Sequence, residues 1–408
     1  MSQPLAGIRI IDLTHEWAGP YGGRMMADFG AEVIKVEYFR RIDSLRGGRR
    51  QNRQYDRQPR FLEANRNKRS ITLDLHDKRD LAILKELARC SDVVVSNSRP
   101  GVLERLGIGY QTLKEIKTDI ILVSLSACGQ SGPEATYAGF GGMLEATSGV
   151  QFLTAYAKDG ERRRIREVDV TNGIMGAAAI ITALVRRQQT GQGVWIDLSQ
   201  LEVPAHALAA EHLLEFASNG RSTLPVGNRH PERAPRGCYR CEGEDAWIVI
   251  SIASEVEWAG LCEAVGHPEW RDDPRFATHK ARRLHHDQLD ELITTWTQRF
   301  SKTTAMGLLQ RMGVPAGAVL NVSDLHADPH LHSRGYFRRP THATGAPWHH
   351  GFPFRLSSGG GEVLSPGPAL GEGNQDIICG LLARPASDVR NLAQEDIGTE
   401  FDIPGRTY

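Results

Sequence analysis

Asp169 stands in Glu167-Val168-Asp169-Val170-Thr171-Asn172-Gly173, where an arginine-rich loop ends and an apolar segment running to about Leu184 begins. A carboxylate at a helix entrance can cap the helix, its oxygen accepting a backbone N–H. It can also be held ionised by the unpaired N–H groups of the first turn and act on a substrate. Read locally, capping is sufficient. Arg162, Arg163, Arg164 and Arg166 precede the carboxylate. They read as a solvated loop or as cations that draw an anionic acceptor towards Asp169, Arg166 foremost.

Two further stretches carry polar groups at the ends of apparent strands. His15-Glu16-Trp17-Ala18-Gly19-Pro20 follows the apolar run Ile8 to Leu13, and Asn97 to Arg105 follows Asp92 to Ser96. Cys238-Tyr239-Arg240-Cys241 is a single CxxC without a second pair at zinc spacing, so two buried or half-buried thiols are expected there rather than a metal. His326, His330 and His332 read as solvated or capping histidines.

The elements that must position these groups alternate between strand and helix. Ile8–Leu13 and Ala31–Glu37 read as strands around a helix ending near Gly30, a βαβ unit that implies a parallel sheet. The pattern resumes with a strand over Ser70–Leu75, a helix over Lys78–Arg89, a strand over Asp92–Ser96, a helix over Gly101–Leu106 and a strand over Ile120–Ser126. After the central helix, Val194–Leu198 reads as a strand and Gln200–Ala217 as one long helix. The expected class is a doubly wound α/β domain whose ligands sit outside the carboxyl ends of the strands, at His15 to Pro20 and Asn97 to Arg105. Beyond a Pro-, Gly- and Arg-rich linker, Asn219 to Arg236, a smaller α+β region is predicted, and a last helix around Asn374–Leu382.

Bulk properties narrow the function classes. At 408 residues the chain exceeds what one core usually supports. Lys plus Arg and Asp plus Glu are 49 each, which offers no argument for a nucleic-acid or membrane partner. A mean hydropathy of −0.36 fits an ordinary globular protein. The first residues lack a basic patch followed by an apolar run, and six scattered cysteines suit reduced thiols, so a cytoplasmic enzyme is expected.

Eight segments in order resemble the class III (family III) CoA-transferases, the group that contains formyl-CoA:oxalate and crotonobetainyl-CoA:carnitine CoA-transferases. They are Pro4 to Ile8 with Ala18-Gly19-Pro20; Gly30 to Glu37; Asn67 to Ile71; Asn97 with Pro100-Gly101 and Arg105-Leu106-Gly107; Gly129 to Pro133; Asp169 to Gly173; Gly227 to Pro231; and Gly313 to Gly317. The resemblance implies a large Rossmann-like domain built from both chain ends, a smaller inserted domain and an interlocked homodimer. The implied division is 1–218 for the large CoA-binding and catalytic domain, 219–325 for the linker and small α+β domain, and 326–408 for the return segment. It implies that Asp169 attacks the thioester of an acyl-CoA, giving an anhydride and then an aspartyl-CoA thioester from which CoA passes to a small carboxylic acid. His15, Ala18, Leu73, Asn97 and Arg105 match the family's CoA-contacting set. Coenzyme A is then a substrate, with no permanently bound cofactor and no metal.

The departures also inform. Glu16-Trp17 replaces the Val-Gln of the oxalate enzyme, Phe140-Gly141 replaces a Tyr-Asp or Tyr-Glu pair, and the oxalate enzyme's glycine-rich covering loop has no counterpart around Cys238 to Ser254. Transfer with another acid is therefore expected, succinyl-CoA being one donor. The alternative is an α-methylacyl-CoA racemase-like enzyme, which adds a His as second base where Phe140 stands, and an apolar ring cannot exchange a proton. A nicotinamide enzyme lacks its Gly-x-Gly-x-x-Gly turn. A binding protein that kept the fold without catalysis is opposed by the retained Asp169.

Overall fold

The computed structural model describes residues 3–47, 51–156, 160–161, 164–222, 224–341, 348–393 and 396–398. Six strands, β1 (Arg9–Asp12), β2 (Glu32–Glu37), β3 (Arg69–Thr72), β4 (Val93–Ser96), β5 (Ile121–Ser126) and β6 (Val194–Ser199), form one sheet in the order β3-β2-β1-β4-β5-β6. Every pairing is parallel, with Ile11 opposite Ile34 on one side and Val94 on the other.

Such a sheet must be covered on both faces, and the near-continuous apolar strands supply two inventories of side chains. Ile11, Ile34, Ile71, Val94 and Leu122 pack on one face with Ile83, Leu84 and Leu87 of helix Lys78–Arg89. Ile10, Val33, Val93, Val95 and Val123 pack on the other with Met26 of helix Ala18–Asp28 and Ala177 and Ile180 of helix Val168–Thr190. Strand order reverses between β1 and β4, which opens a crevice at their carboxyl ends.

The helix expected from Gly173 to Leu184 runs from Val168 to Thr190 and ends on Gly191 in the left-handed region, φ 67°. Glycine sets how closely it crosses helix Ala18–Asp28. A Cβ at Gly22 would lie 2.8 Å from the Gly173 carbonyl oxygen, and one at Gly173 would lie 2.7 Å from that of Ala18. By length and composition this helix is apolar enough to cross a membrane, its most apolar 18-residue window having a mean hydropathy of 1.7. One face of it is nonetheless spent inside the protein, where Asn172, Gly173, Gly176, Ala177 and Ile180 are buried.

Two expectations about helices are corrected. Glu167, not Asp169, occupies the N-cap position, without a side-chain bond, and Asp169 lies inside the first turn. The chain turns into the helix at Arg166, whose φ of 64° leaves the carboxylate past the capping position. The predicted Gln200–Ala217 helix is two, Glu202–Leu208 and Ala210–Asn219, interrupted at Ala209, which is buried with φ −116° and ψ −1°.

The chain divides into two compact units, Met1–Gln151 with Arg164–Arg221 and Ser333–Tyr408, and Phe152–Arg163 with Ser222–His332. Phe152–Arg163 thus groups with the second unit, whereas the sequence reading kept it in the first. In the first unit the late segment docks on β3, Asn374 Oδ1 accepting from Thr72 N at 2.9 Å and its Nδ2 donating to Thr72 Oγ1 at 2.8 Å. The second unit contains an antiparallel sheet, β7 (Arg236–Arg240), β8 (Trp247–Ser251) and β9 (Ala316–Ala318), over a core that includes Trp258, Leu261, Ile293 and Leu309. Cys238 is half-buried on β7 and Cys241 buried beyond it, and burial pushes both thiols up.

Candidate active site

A cavity of about 1180 Å³ opens at the sheet's switch point, and all the residues lining it belong to the first unit. It exceeds the roughly 300–1,000 Å³ of ordinary small-molecule pockets, which suits a long ligand. His15, Ala18, Leu73, Asn97 and Asp169 all line it. Arg105 does not. It is exposed on the short helix Val102–Arg105, with its Nη1 3.0 Å from where a Cβ of Gly101 would stand.

The loop after β1 is held by groups that leave almost none of its backbone free. Thr14 N donates to Asp12 Oδ1 at 2.9 Å, Thr14 O accepts from Lys35 Nζ at 2.7 Å, and Glu16 N donates to Asp43 Oδ1 at 3.2 Å. Asn97 binds both sides of His15, its Oδ1 accepting from His15 N at 2.9 Å and its Nδ2 donating to His15 O at 2.7 Å. Its amide is therefore occupied in joining the loops after β1 and β4 across the switch point. Glu16 sits at φ 64°, a left-handed conformation sustained by these bonds.

Beneath the loop lies a buried lattice of charges. Lys35 Nζ is 2.9 Å from Asp43 Oδ2, Lys68 Nζ 2.7 Å from Asp12 Oδ2, and Arg46 Nη2 2.7 Å from Glu37 Oε2. Burial works against the ionised Asp12, but Lys68 and Lys35 outweigh it and hold the carboxyl at about 2. Burial also works against a charged His15, and Lys35 adds to that, so its pKa is lowered and the imidazole is neutral near pH 7.

Asp169 has a different environment. It is half-buried, and no described residue donates a hydrogen bond to it. Burial pushes its pKa up, Arg164 opposes that, and Glu145 reinforces it. The backbone at Gly141 comes so close that a Cβ there would lie 2.5 Å from Asp169 Oδ2. Gly141 opens helix Gly141–Thr147, preceded by the exposed Phe140 at the cavity wall.

Glu145 was missed by the sequence reading. It is fully buried and accepts from Arg166 N at 2.7 Å and Ile165 N at 3.1 Å, with Arg164 Nε 3.7 Å away. One carboxylate thus shapes the loop that presents Arg164 and Arg166 to the cavity. A signal existed, since Glu145 is the one charged residue between Ala135 and Ala157. Arg162 and Arg163 lie outside the described residues. Arg41, Arg60 and Arg99 add further cations to the wall, so its charge is mainly positive, Glu16 and Asp169 being its carboxylates among the described residues.

The family model of CoA-transferase family III matches residues 5–374 of the chain. The chain belongs to the family III CoA-transferases. Like the members of that family, this CoA-transferase uses CoA thioesters as substrates. It is 34% identical over 392 residues to the succinyl-CoA–D-citramalate CoA-transferase of Chloroflexus aurantiacus, covering 96% of this chain and 97% of the relative. To the acetyl-CoA:oxalate CoA-transferase of Acetobacter aceti it is 32% identical, covering 79% of this chain and 82% of the relative. Among solved structures, a CaiB/BaiF family protein from Brucella suis superposes with a TM-score of 0.84 at 29% identity, covering 93% of this chain and all of the other.

Proposed function

We propose that this CoA-transferase moves CoA from an acyl-CoA, succinyl-CoA foremost, to a second carboxylic acid through covalent intermediates on Asp169. The observation that carries the reading is a carboxylate without a hydrogen-bond donor among the described residues, partly desolvated, inside a cavity ringed by arginines. A carboxylate that keeps its lone pairs free and is poorly hydrated is a stronger nucleophile than one in a salt bridge.

An Asp169 oxygen attacks the thioester carbonyl, the C–S bond breaks, and CoA thiolate leaves an acyl-aspartyl anhydride. The thiolate then attacks the aspartyl carbonyl, releasing the donor acid as its carboxylate and leaving an aspartyl-CoA thioester. The acceptor carboxylate attacks that thioester and expels the thiolate. The resulting anhydride is cleaved by the thiolate at the acceptor's carbonyl, which yields the new acyl-CoA and regenerates Asp169. No proton need be taken from carbon, which accords with Phe140 at the wall where a second base would stand.

His15, Ala18, Leu73 and Asn97 form the wall on which CoA lies in this reading, with Arg41, Arg60 and Arg99 facing its phosphates. Arg166 receives the distal carboxylate of a dicarboxylic acceptor. The names of relatives support a dicarboxylate, since they include succinate–glutarate and succinyl-CoA–L-malate CoA-transferases. A homodimer would cover the apolar residues Ile174, Ile181 and Val185, which helix Val168–Thr190 leaves exposed.

The test is to incubate the enzyme with succinyl-CoA, trap with hydroxylamine and locate the adduct by mass spectrometry. Modification at Asp169, absent from Asp169→Ala, is the expected result. An adduct elsewhere, or α-proton exchange of an α-methylacyl-CoA in deuterated buffer without CoA transfer, would overturn it.

A further inference from the structure

From residue 333 to residue 361 the chain contains no Asp or Glu, yet it carries Arg334, Arg338, Arg339 and Arg355, in a protein whose charges balance over the whole chain. The fold gathers all four around a second cavity of about 470 Å³, in the range of small-molecule sites. None of the four makes an ion pair or a side-chain hydrogen bond with a carboxylate among the described residues. Two of them converge, since a Cβ on Gly335 would stand 3.6 Å from Arg338 Nη2 and 4.0 Å from Arg355 Nη2. Arg339 lies over the Trp348 ring, 4.6 Å from its centroid, which fixes the direction of its guanidinium.

The surrounding backbone is built rather than loosely draped. Strand β10 (Phe337–Arg338) pairs antiparallel with β11 (His349–His350). The loop that follows is anchored by Phe352 and Phe354, whose ring centroids lie 4.5 and 5.5 Å from that of Phe29. Gly359 and Gly360, with φ of 73° and 145°, turn the chain back over the cavity, and Gly361 packs so close to Phe352 that a Cβ would lie 2.6 Å from its ring. Among the described residues the one carboxylate at the wall is Glu362.

We propose that this cavity is a second anion site, which binds a small molecule carrying at least two phosphate groups. Unpaired like charges converging on one cavity repel each other in the empty protein. A bound polyanion relieves that repulsion, and guanidinium forks match phosphate oxygens two at a time. A single carboxylate would leave most of the charge uncompensated. A diphosphate meets the arginines and leaves room for an organic group against Phe352 and Phe354.

Equilibrium dialysis of labelled inorganic pyrophosphate against the full chain, without CoA, tests the assignment. Binding at this cavity is read as the part of the retained pyrophosphate, one per chain, whose affinity falls at least tenfold in Arg338→Gln/Arg355→Gln, with transferase activity unchanged. Arg355→Glu alone is read in the same way should the double variant fold poorly. No retained pyrophosphate, or retention unaffected by either variant, overturns the site. Flotation with phosphatidylglycerol vesicles without pyrophosphate binding would assign the arginines to a membrane headgroup and also overturn it. So would a changed oligomeric state with pyrophosphate binding intact, which would make them a subunit contact.

Discussion

Asp12 and Asp169 are two carboxylates of the same unit treated in opposite ways. Asp12 is buried, paired with Lys68, bonded to Thr14, and held at about 2. Asp169 has no donor among the described residues, and its pKa is pushed up by burial. Ionised Asp12 contributes to stability above its ordinary 3.8, a contribution lost as pH falls towards 2. For Asp169 the sign reverses: the folded protein holds its proton more tightly than the unfolded chain, so stability falls as pH rises through 3.8 and beyond. The satisfied group positions the loop, and the unsatisfied one is left available for chemistry. Stability is given up at the second place to keep a reactive group.

Removing Asp169 is the strongest way to break this contrast. Asp169→Ala is expected to lower kcat by at least about 10³-fold, measured as acyl-CoA exchange, if the carboxylate is the nucleophile. Asp169→Asn should melt above the parent at pH 7, with the gain gone below about pH 3.8. A variant that is inactive and less stable would place Asp169 with the structural carboxylates.

Lys35→Met attacks the other side. Burial works against the charged Lys35, but Asp43, Asp12 and Glu37 outweigh it and raise its pKa. Deleting it leaves buried carboxylates uncompensated, and a loss of about 3–5 kcal/mol in urea unfolding is expected. A loss below about 1 kcal/mol would show that the lattice is dispensable to folding.

Gly141→Ala separates position from stability. The added methyl meets Asp169 Oδ2 at 2.5 Å and must displace it. A kcat drop of about 10²-fold is expected from a misplacement on the order of 1 Å. Alanine favours a helix by about 1 kcal/mol over glycine, so the melting temperature should not fall. Unchanged turnover would sink the claim that this contact sets the nucleophile.

Smaller effects concern the arginine loop. Arg166→Ala is expected to raise KM for a dicarboxylate acceptor about tenfold, the scale of one charge-assisted hydrogen bond, while KM for the donor stays put. Equal changes in both would remove Arg166 from the acceptor site. Glu145→Gln withdraws a negative charge that raises the Asp169 pKa, so the acid limb of kcat/KM should move to lower pH. A shift the other way would mean that the loop, not the charge, dominates.

Much of the sheet was legible because parallel strands buried on both faces read as short apolar runs. Helix Lys78–Arg89 has the bounds read from the sequence, and Asp77 caps it, its side chain accepting from Arg79 N. The interruption at Ala209 left no local mark. The site was legible in parts. Asp169, His15, Ala18, Leu73 and Asn97 do meet at one cavity, while Arg105 lies off its wall. Asn97 could be named as polar, but its attachment to the His15 backbone spans 82 positions and has no counterpart in local spacing. Glu145 was overlooked for the same reason, because its partners, the N–H groups of Ile165 and Arg166, lie 20 and 21 residues away.

By itself the sequence determined the α/β alternation, the family and the identity of the carboxylate at the helix entrance, because those reside in residue type, local period and ordered motifs. Only the tertiary structure decided which carboxylates are neutralised and which is left bare. Desolvation and ion pairing depend on distances of a few ångströms between groups remote in the chain, and those distances exist only after the helices have packed.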